Sequence, residues 1–406
     1  MGSRGAGRYH VGMKKLLTLL AALALTAGTA SAQLDKLKLS EQIQSLKFGG
    51  DLRLRYEDFR KRGVNTTDRS RNRLRLRFGA EAVLPHDLTV LLRLASGTGE
   101  PVSTNQTYSN LGSQKSIFID QAYARWTPAF EDGSATLASG KMQNMLWRVY
   151  SSDLLWDNDF NPEGFSEGGE WLFPGAGLTV FANALQMQAH EASTTGKNPW
   201  LFSQQLGAET RLPLDSRLRV AAAYHKWSDE NKMAFTPGVT QDGNQRTAGG
   251  LHLDRFGVGE LTGQLSTWLG QTPLAFQGTF ARNFRHRGDI GSGVANGCVA
   301  GQVCPPARDG YQFGAILGSA KTKGKWEGAY FRKYAQTNVT VADIADSDFG
   351  DGGLNRQGHI FWAAYAPQDW MQLQAKYFVT DTLDRSFTSP GDKAINRLQL
   401  DLNVKF

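Results

Sequence analysis

The sequence lacks an apolar run long enough to cross a bilayer as a helix. Its longest apolar stretch covers residues 16–27, about 12 residues, whereas a transmembrane helix needs about 20. Mean hydropathy is −0.39. The apolar fraction of 40% lies slightly below the average of about 45–50% for soluble domains. These values argue against a helical membrane protein.

Motifs of several enzyme classes are also missing. The chain contains no H-E-x-x-H, no Walker A motif and no G-x-G-x-x-G after a predicted strand. Its seven histidines are scattered, and His225, His252 and His286 cannot be grouped into a site from their spacing. We therefore expect no catalytic residues and no enzymatic activity.

Cysteine is nearly absent. Cys298 and Cys304 are the only two, and they lie close together in a Gly-rich stretch. No C-x-x-C motif and no Cys/His cluster with zinc spacing is present, so we expect neither a metal site nor a cofactor. In an exported protein this pair predicts one local disulfide.

An export signal is predicted at the N-terminus. Lys14-Lys15 form a basic start, residues 16–25 an apolar middle, and residues 30–32 an A-x-A cleavage site. We therefore expect residues 1–32 to comprise an N-terminal extension and a signal peptide. Their removal leaves 45 − 4 = 41 basic residues against 38 acidic ones, a net charge of +3, so nucleic-acid binding is not expected.

Much of the remaining chain alternates apolar and polar residues with a period of two. Segments 51–59, 72–83 and 87–96 show the pattern near the start of the mature chain. The clearest example is segment 396–406, whose apolar face consists of Leu398, Leu400, Leu402, Val404 and Phe406. Such alternation predicts strands with one apolar and one wet face. Runs of about 10 residues are typical of membrane-spanning strands.

The links between these segments alternate in length. Seven short links carry Pro, Gly, Lys or Asp, as at residues 85–87 and 367–369, and eight longer links, as at residues 142–167, are rich in small polar residues. Fifteen strands are evident, and one more at about residues 167–173 makes the alternation complete. The pattern over residues 48–406 therefore predicts an all-β transmembrane antiparallel barrel of about 16 strands, with 14 or 18 as alternatives. An even number of strands places both termini in the periplasm.

Residues 33–47 carry a different pattern. Leu34, Leu37, Ile43 and Leu46 recur at roughly helical spacing among Lys, Asp and Glu. This spacing predicts a short amphipathic periplasmic helix before the barrel, acting as a plug or a handle.

Several stretches of the mature chain resemble the putative-porin family of outer-membrane barrels. The resemblance is dense over about residues 49–165 and looser afterwards, apart from the terminal strand. The similar stretches are residues 50–57, 71–78, 92–97, 101–107, 119–123, 140–144 and 153–164. The resemblance implies a barrel with a pore in the bacterial outer membrane, and it defines no substrate.

The same class of protein implies a set of partners. These are outer-membrane lipid, the barrel-assembly machinery and small hydrophilic solutes. Many porins with this number of strands are homotrimers, so a homotrimer is the oligomer that we expect, with a monomer as the alternative.

A basic ladder is the first candidate site. It lies opposite the apolar residues of the first three strands and consists of Arg53, Arg55, Arg73, Arg75, Arg77 and Arg93. Lipid-facing arginines would cost about 2–4 kcal/mol each near the bilayer midplane, so these side chains should line the lumen. They either bias the pore toward anions or pair with Glu57, Glu81 and loop acids and stiffen the wall.

An acidic loop is the second candidate site. It belongs to the third long link and carries Asp153, Asp157, Asp159, Glu163 and Glu167. We expect it to fold inward, face the arginines and form a constriction with a transverse field. The alternative is an exposed acidic loop or a calcium-binding surface.

Three functions fit these patterns. The leading interpretation is a porin through which small hydrophilic solutes diffuse. A substrate-specific channel for an anionic saccharide or polymer would use the same arginines. A structural or adhesive barrel would not conduct ions at all.

Overall fold

A computed structural model of the chain describes most of the mature sequence. The described residues are 40–63, 66–151, 153–191, 193, 196–233, 243–246, 251–287, 306–386 and 393–406. The predicted signal peptide and the predicted disulfide between Cys298 and Cys304 lie outside them.

Antiparallel strands form nearly all of the regular structure in the described part of the chain. Two segments, Gln106–Thr107 and Ala129–Phe130, are only two residues long, and the other strands number 16. These are β1 Ser45–Gly63, β2 Arg69–Leu84, β3 Leu88–Ser96, β4 Ile117–Trp126, β5 Gly133–Lys141, β6 Glu163–Phe173, β7 Leu178–Gln188, β8 Trp200–Leu212, β9 Ser216–Ser228, β10 Gly257–Leu269, β11 Thr272–Asn283, β12 Asp309–Gly318, β13 Trp326–Ala335, β14 Arg356–Gln368, β15 Met371–Thr382 and β16 Lys393–Lys405.

The sheet closes on itself between its first and last strands. Each strand pairs with the next along the chain, and β16 pairs with β1 in a register that sets Leu402 opposite Leu54. At the seam the Gly50 N–H donates to the Phe406 carbonyl at 2.8 Å. A Cβ at Gly50 would lie 2.8 Å from the Phe406 ring, so this close approach requires glycine. The predicted antiparallel barrel of 16 strands is confirmed.

The links alternate as the sequence indicates. Short turns such as residues 85–87 and 213–215 follow the even-numbered strands, and longer links follow the odd-numbered ones. The sixteenth predicted strand is present as β6. Both ends of the barrel chain, Ser45 and Phe406, lie at the rim that carries the short turns, because Ser45 pairs with Val83.

The predicted helix over residues 33–47 is not found in its described part. In residues 40–44 the Ile43 N–H donates to the Ser40 carbonyl in a turn, and β1 already begins at Ser45. Leu46 lies opposite Ala82 of β2 and extends the two-residue alternation of the strand. At Leu46, cross-strand pairing therefore overrides the helical spacing. The helices of the described residues are single 3-10 turns, none of them long and apolar enough to span a membrane.

Apolar side chains occupy two separate places. Those on the outer face of the barrel are exposed, as at Leu54, Leu206 and Phe361. A second set is buried inside the barrel, where loop residues such as Trp156 and Val341 form one cluster with wall residues. The interior core is therefore built by loops that fold inward.

Candidate functional site

The loop between β5 and β6, residues 142–162, crosses the lumen and is called the crossing loop below. It leaves β5 and first contacts the opposite wall, where the Trp147 N–H donates to Gln205 Oε1 of β8 at 2.8 Å. Farther along, the Ser151 hydroxyl donates to Gln277 Oε1 of β11 at 2.7 Å. These contacts fix the first half of the loop to the wall opposite β1 to β3.

A second inward loop, residues 336–355 between β13 and β14, supports the crossing loop. The Asp157 N–H donates to the Ile344 carbonyl at 2.7 Å. In return the Ser347 N–H and hydroxyl both donate to Asp157 Oδ2 at 2.9 Å. The two loops therefore form one unit inside the barrel.

The far end of the crossing loop reaches the basic wall. Asp159 Oδ1 lies 3.5 Å from Nη1 of Arg75 and 3.5 Å from Nη1 of Arg77, both on β2. The Thr104 hydroxyl donates to the other oxygen of Asp159 at 3.2 Å. The loop thus spans the lumen from β8 and β11 to β2.

An apolar segment explains why the crossing loop folds inward. Leu154, Leu155 and Trp156 are buried, and they pack in one cluster with Leu185 of β7 and Leu201 of β8. Burial of a large apolar side chain contributes about 1.5–3 kcal/mol, which the loop would lose if it lay in water outside the barrel. Inward-facing leucines on β7 and β8 are the complementary surface.

The six predicted pore-lining arginines lie on the inward face, opposite exposed apolar residues of their strands. They are Arg53, Arg55, Arg73, Arg75, Arg77 and Arg93. Most of them contact carboxylates: Arg75 and Arg77 each lie 2.7 Å from Asp51, and Arg93 lies 2.5 Å from Asp120. The wall is therefore a set of ion pairs rather than a row of bare positive charges.

A deeper network surrounds Glu57, which is fully buried on β1. Arg397 of β16 donates to Glu57 Oε1 at 2.6 Å, and Arg55 donates to Asp401 at 2.7 Å. Arg55 also lies 3.1 Å from Asp348 of the second inward loop. Because a buried charge is costly unless it is paired, these contacts hold β1, β16 and the loop together.

Sequence analysis missed several members of this network. Arg397 and Asp401 lie on the wet face of the last strand, so the alternation rule that selected the ladder would also have selected them. Asp348 and Lys333, which lies 2.7 Å from Asp346, carry no sequence signal that relates them to the ladder. The position of Asp348 follows from the inward fold of residues 336–355, whereas Lys333 lies on the inward face of β13.

Arg53 and Lys376 are inward cations on this side that form no ion pair with a described carboxylate. The Arg53 guanidinium donates to the Asn105 side-chain carbonyl at 2.7 Å. The Lys376 ammonium lies 4.8 Å from the centroid of the Phe378 ring and 5.8 Å from that of Trp362. Their charges are not neutralised by direct ion pairs, so they contribute to the field in the lumen.

The three aspartates of the crossing loop differ in pKa. Burial, followed by the nearby Asp346 carboxylate, raises the pKa of Asp153 to about 7. Burial and the neighbouring Asp159 carboxylate raise the pKa of Asp157 as well. Burial alone would raise the pKa of Asp159, but Arg75 and other arginines outweigh it and lower the pKa to about 2. The crossing loop therefore carries one permanent negative charge, that of Asp159. It carries a second carboxyl, that of Asp153, that titrates near neutrality.

Glu163 and Glu167 do not belong to the crossing loop. β6 begins at Glu163, and both glutamates share its outer face with Phe165, which is exposed. Glu163 lies 2.8 Å from Lys141 of β5, and Glu167 accepts a hydrogen bond from Gln186 of β7 at 2.9 Å. The Gly-rich composition of the segment conceals the strand, and pairing with β5 and β7 makes it regular.

A histidine hydrogen-bonded to a serine and a glutamate lies under the crossing loop. His225 Nδ1 is 3.0 Å from Ser203 Oγ, and His225 Nε2 is 3.0 Å from Glu260 Oε2. The Trp156 ring packs edge-on against the imidazole at 5.2 Å. Ser203 is only 1% exposed, so no substrate could reach its hydroxyl in this arrangement.

A G-x-S-x-G pattern covers residues 164–168, although sequence analysis expected none. Such a pattern forms a nucleophile elbow only where a strand turns into a helix. Here Ser166 lies within β6, is 1% exposed and donates to the Ala184 carbonyl at 2.7 Å. Over the described ranges no group of three His, Asp, Glu or Cys side chains is arranged to hold a metal ion.

Comparisons with known proteins give a family. Two solved structures of mutant porins from Rhodopseudomonas blastica each cover 89% of this chain and 100% of their own, at 9% identity and TM-scores of 0.44 and 0.43. Among curated proteins none matches this chain. The profile of the family described as putative porin matches residues 62–249 and 231–406, which is well over half of the sequence. The chain therefore belongs to the putative porin family.

Proposed function

We propose that this outer-membrane porin passes small hydrophilic solutes through a constriction between the crossing loop and the basic wall. The observation that carries the proposal is the path of the loop from Gln205 on β8 to Arg75 and Arg77 on β2. A loop fixed at both sides of the lumen narrows it and does not swing out. Solutes must then pass beside its charged edge.

The constriction has opposite charges on its two sides. Asp159, whose pKa is lowered, is the permanent negative charge of the loop, and Asp153 adds a second when it is ionised, whereas Arg53 and Lys376 lie on the wall. Water in such a gap experiences a transverse field that orients polar solutes. Because the two wall cations form no ion pair with a described residue, we infer a weak preference for anions.

A cavity of about 640 Å³ beside the end of the crossing loop supports a polar passage. Its lining includes Asp120, Lys141, Asp159 and Asn161 together with apolar residues. This mixed lining suits small hydrated solutes of either charge.

We infer that the barrel is a channel and not a hydrolase. The two serines that sequence or geometry would nominate are Ser166 and Ser203, and both are buried. Each hydroxyl is engaged by Ala184 or by His225.

We also propose an orientation and an assembly. The rim with the short turns, where Ser45 and Phe406 lie, faces the periplasm, and the long loops face outward. The barrel-assembly machinery would insert the exported chain, and a homotrimer is the assembly that we expect.

The test is conductance in planar bilayers containing the refolded mature chain. We expect discrete channels, and in a salt gradient a reversal potential that indicates weak anion preference. Arg53→Gln and Lys376→Gln should each reduce that preference, whereas Lys323→Gln, in a short turn, should leave it unchanged. A barrel that inserts but does not conduct would support the structural or adhesive alternative instead.

A channel specific for an anionic saccharide is the second candidate. Tyr150 of the crossing loop packs edge-on against Trp362 at 6.3 Å, and Lys376 lies beside the same indole. Aromatic rings beside a lumenal ammonium could hold a sugar ring and its carboxylate. Block of the current by uronate oligomers but not by neutral sugars of equal size would favour this function over simple diffusion.

A further inference from the structure

A row of polar side chains crosses the outer face of the barrel at the rim with the long loops. The strand register places Arg332 of β13 opposite His359 of β14, and His359 opposite Val379 of β15. It continues from Val379 to Asn396 of β16 and from Asn396 to Arg60 of β1. Arg332 and His359 are therefore neighbours on the face that meets lipid, as are Asn396 and Arg60, and Val379 separates the two pairs.

The charge of this rim groove is positive. Its lining includes Arg60, Arg62, Arg332 and His359, against one carboxylate, that of Asp381. The groove has a volume of about 450 Å³. An anionic group is the complement of such a lining.

Two of these arginines are free to bind an anion. Arg332 Nη2 donates to Gln357 Oε1 at 2.6 Å and forms no ion pair with a described residue. The Arg62 backbone pairs with Ala394 of β16, and its side chain forms neither a hydrogen bond nor an ion pair within the described ranges. Arg60, whose side chain is 65% exposed, is already paired with Asp58 at 2.8 Å. The geometry therefore favours Arg62 and Arg332 as the groups that recognise the ligand.

An aromatic row lies directly below the polar one. Across β13 to β16 this row lies two residues nearer the middle of the barrel. It consists of Tyr330, Phe361, Tyr377 and Leu398, each opposite the next. The three rings are 40–42% exposed on the outer face. Two residues along a strand separate the rows by about 7 Å. The surface is thus basic at the level of head groups and aromatic at the level of acyl chains.

We propose that a phosphate-bearing lipid of the outer leaflet binds this rim groove. Its phosphate contacts Arg62 and Arg332, since guanidinium groups match phosphate geometry. Its acyl chains lie along Tyr330, Phe361 and Tyr377, whose rings belong at the interface of a membrane-spanning barrel. A soluble anion would use the basic row alone, so the aromatic row distinguishes a lipid from free phosphate. The inference rests on the proposed orientation and does not depend on conduction.

Native mass spectrometry of the detergent-solubilised mature chain tests the proposal. The probes are phosphatidylglycerol and phosphatidylcholine with identical acyl chains. We expect phosphatidylglycerol to remain bound, and its affinity to fall roughly tenfold in Arg62→Ala/Arg332→Ala. The matched control is Arg282→Ala/Arg255→Ala, because Arg282 is an outward arginine on β11 that is paired with Asp309 at 2.6 Å.

Several results would overturn the proposal. Equal losses in the two double variants would indicate non-specific charge attraction, and displacement of the lipid by millimolar inorganic phosphate would indicate a plain anion site. A change from oligomer to monomer in Arg62→Ala/Arg332→Ala would assign the groove to a second copy of the chain. Single-channel conductance of the same variants should equal that of the unmodified chain, so a failure of the channel proposal would be recognised separately.

Discussion

The interior of the barrel has two kinds of wall. Strands β7 to β10 present buried apolar side chains such as Leu185, Leu201 and Val258, and the crossing loop packs against them. Strands β1 to β4 and β16 present paired charges such as Arg55 and Asp401. The first wall holds the loop in place, and the second faces its charged edge.

The difference shows how a polar pore can contain a stable core. Apolar contacts are not directional, and they stabilise only where water is excluded. They therefore anchor the loop where no solute passes. Charged pairs remain on the opposite side, where hydration and a field are useful. The position of the crossing loop and the ion selectivity of the channel therefore depend largely on different residues, so each can be changed by its own substitutions.

The largest effect should come from removal of the crossing itself. Replacing residues 148–158 by a short Gly-Ser link should raise single-channel conductance several-fold, because the obstruction between β8 and β2 disappears. Deleting residues 110–113, which are exposed in another long loop, is the matched control and should change little. Unchanged conductance in the first variant would place the constriction elsewhere.

Selectivity should depend mainly on the charged wall. Arg75→Gln/Arg77→Gln leaves Asp51 and Asp159 without these partners, so the lumen becomes more negative. We expect the reversal potential in a salt gradient to move toward cation preference by a severalfold change in permeability ratio. Arg217→Gln/Lys323→Gln removes the same charge elsewhere. A shift of equal size in that control would contradict a local field.

Anchoring should depend mainly on the apolar wall. Trp156→Ala removes a ring that is 3% exposed and packs against His225 and Phe160. Replacement of a buried Trp by Ala destabilises a protein by about 3–5 kcal/mol, and here the crossing loop is the part destabilised. We expect faster proteolysis within residues 142–162 and noisier open-channel current, with ion preference retained. Trp370→Ala, which removes an exposed ring in a short turn, should have neither effect.

The smallest effect should be a pH dependence of selectivity. The pKa of Asp153 is raised to about 7, so this carboxyl becomes neutral as the pH falls below that value. The constriction then loses one negative charge, and anion preference should rise modestly between about pH 8 and pH 6. Asp153→Asn should show the low-pH preference throughout. A wild-type preference that stays constant over this range would contradict the raised pKa.

The strands and turns of the barrel were predicted better from sequence than the route of the loops inside it. Alternation along segments such as 396–406 follows from one face meeting lipid, so strands and turns are local properties. The route of the crossing loop depends on Leu154 to Trp156 meeting Leu185 and Leu201, contacts between distant parts of the chain. Glu163 and Glu167 were misplaced because nothing local marks the start of a Gly-rich strand, which pairing with its neighbours defines.

The seam between β1 and β16 determines the order of assembly. Its partners, as in Asp51 opposite Lys405 and Gly63 opposite Lys393, come from the two ends of the barrel sequence. Such a contact forms slowly, since most of the chain must be in place before the loop closes. Until then two unpaired strand edges remain exposed and prone to aggregation. We therefore expect these edges to need shielding from other chains for as long as the final strand is still free.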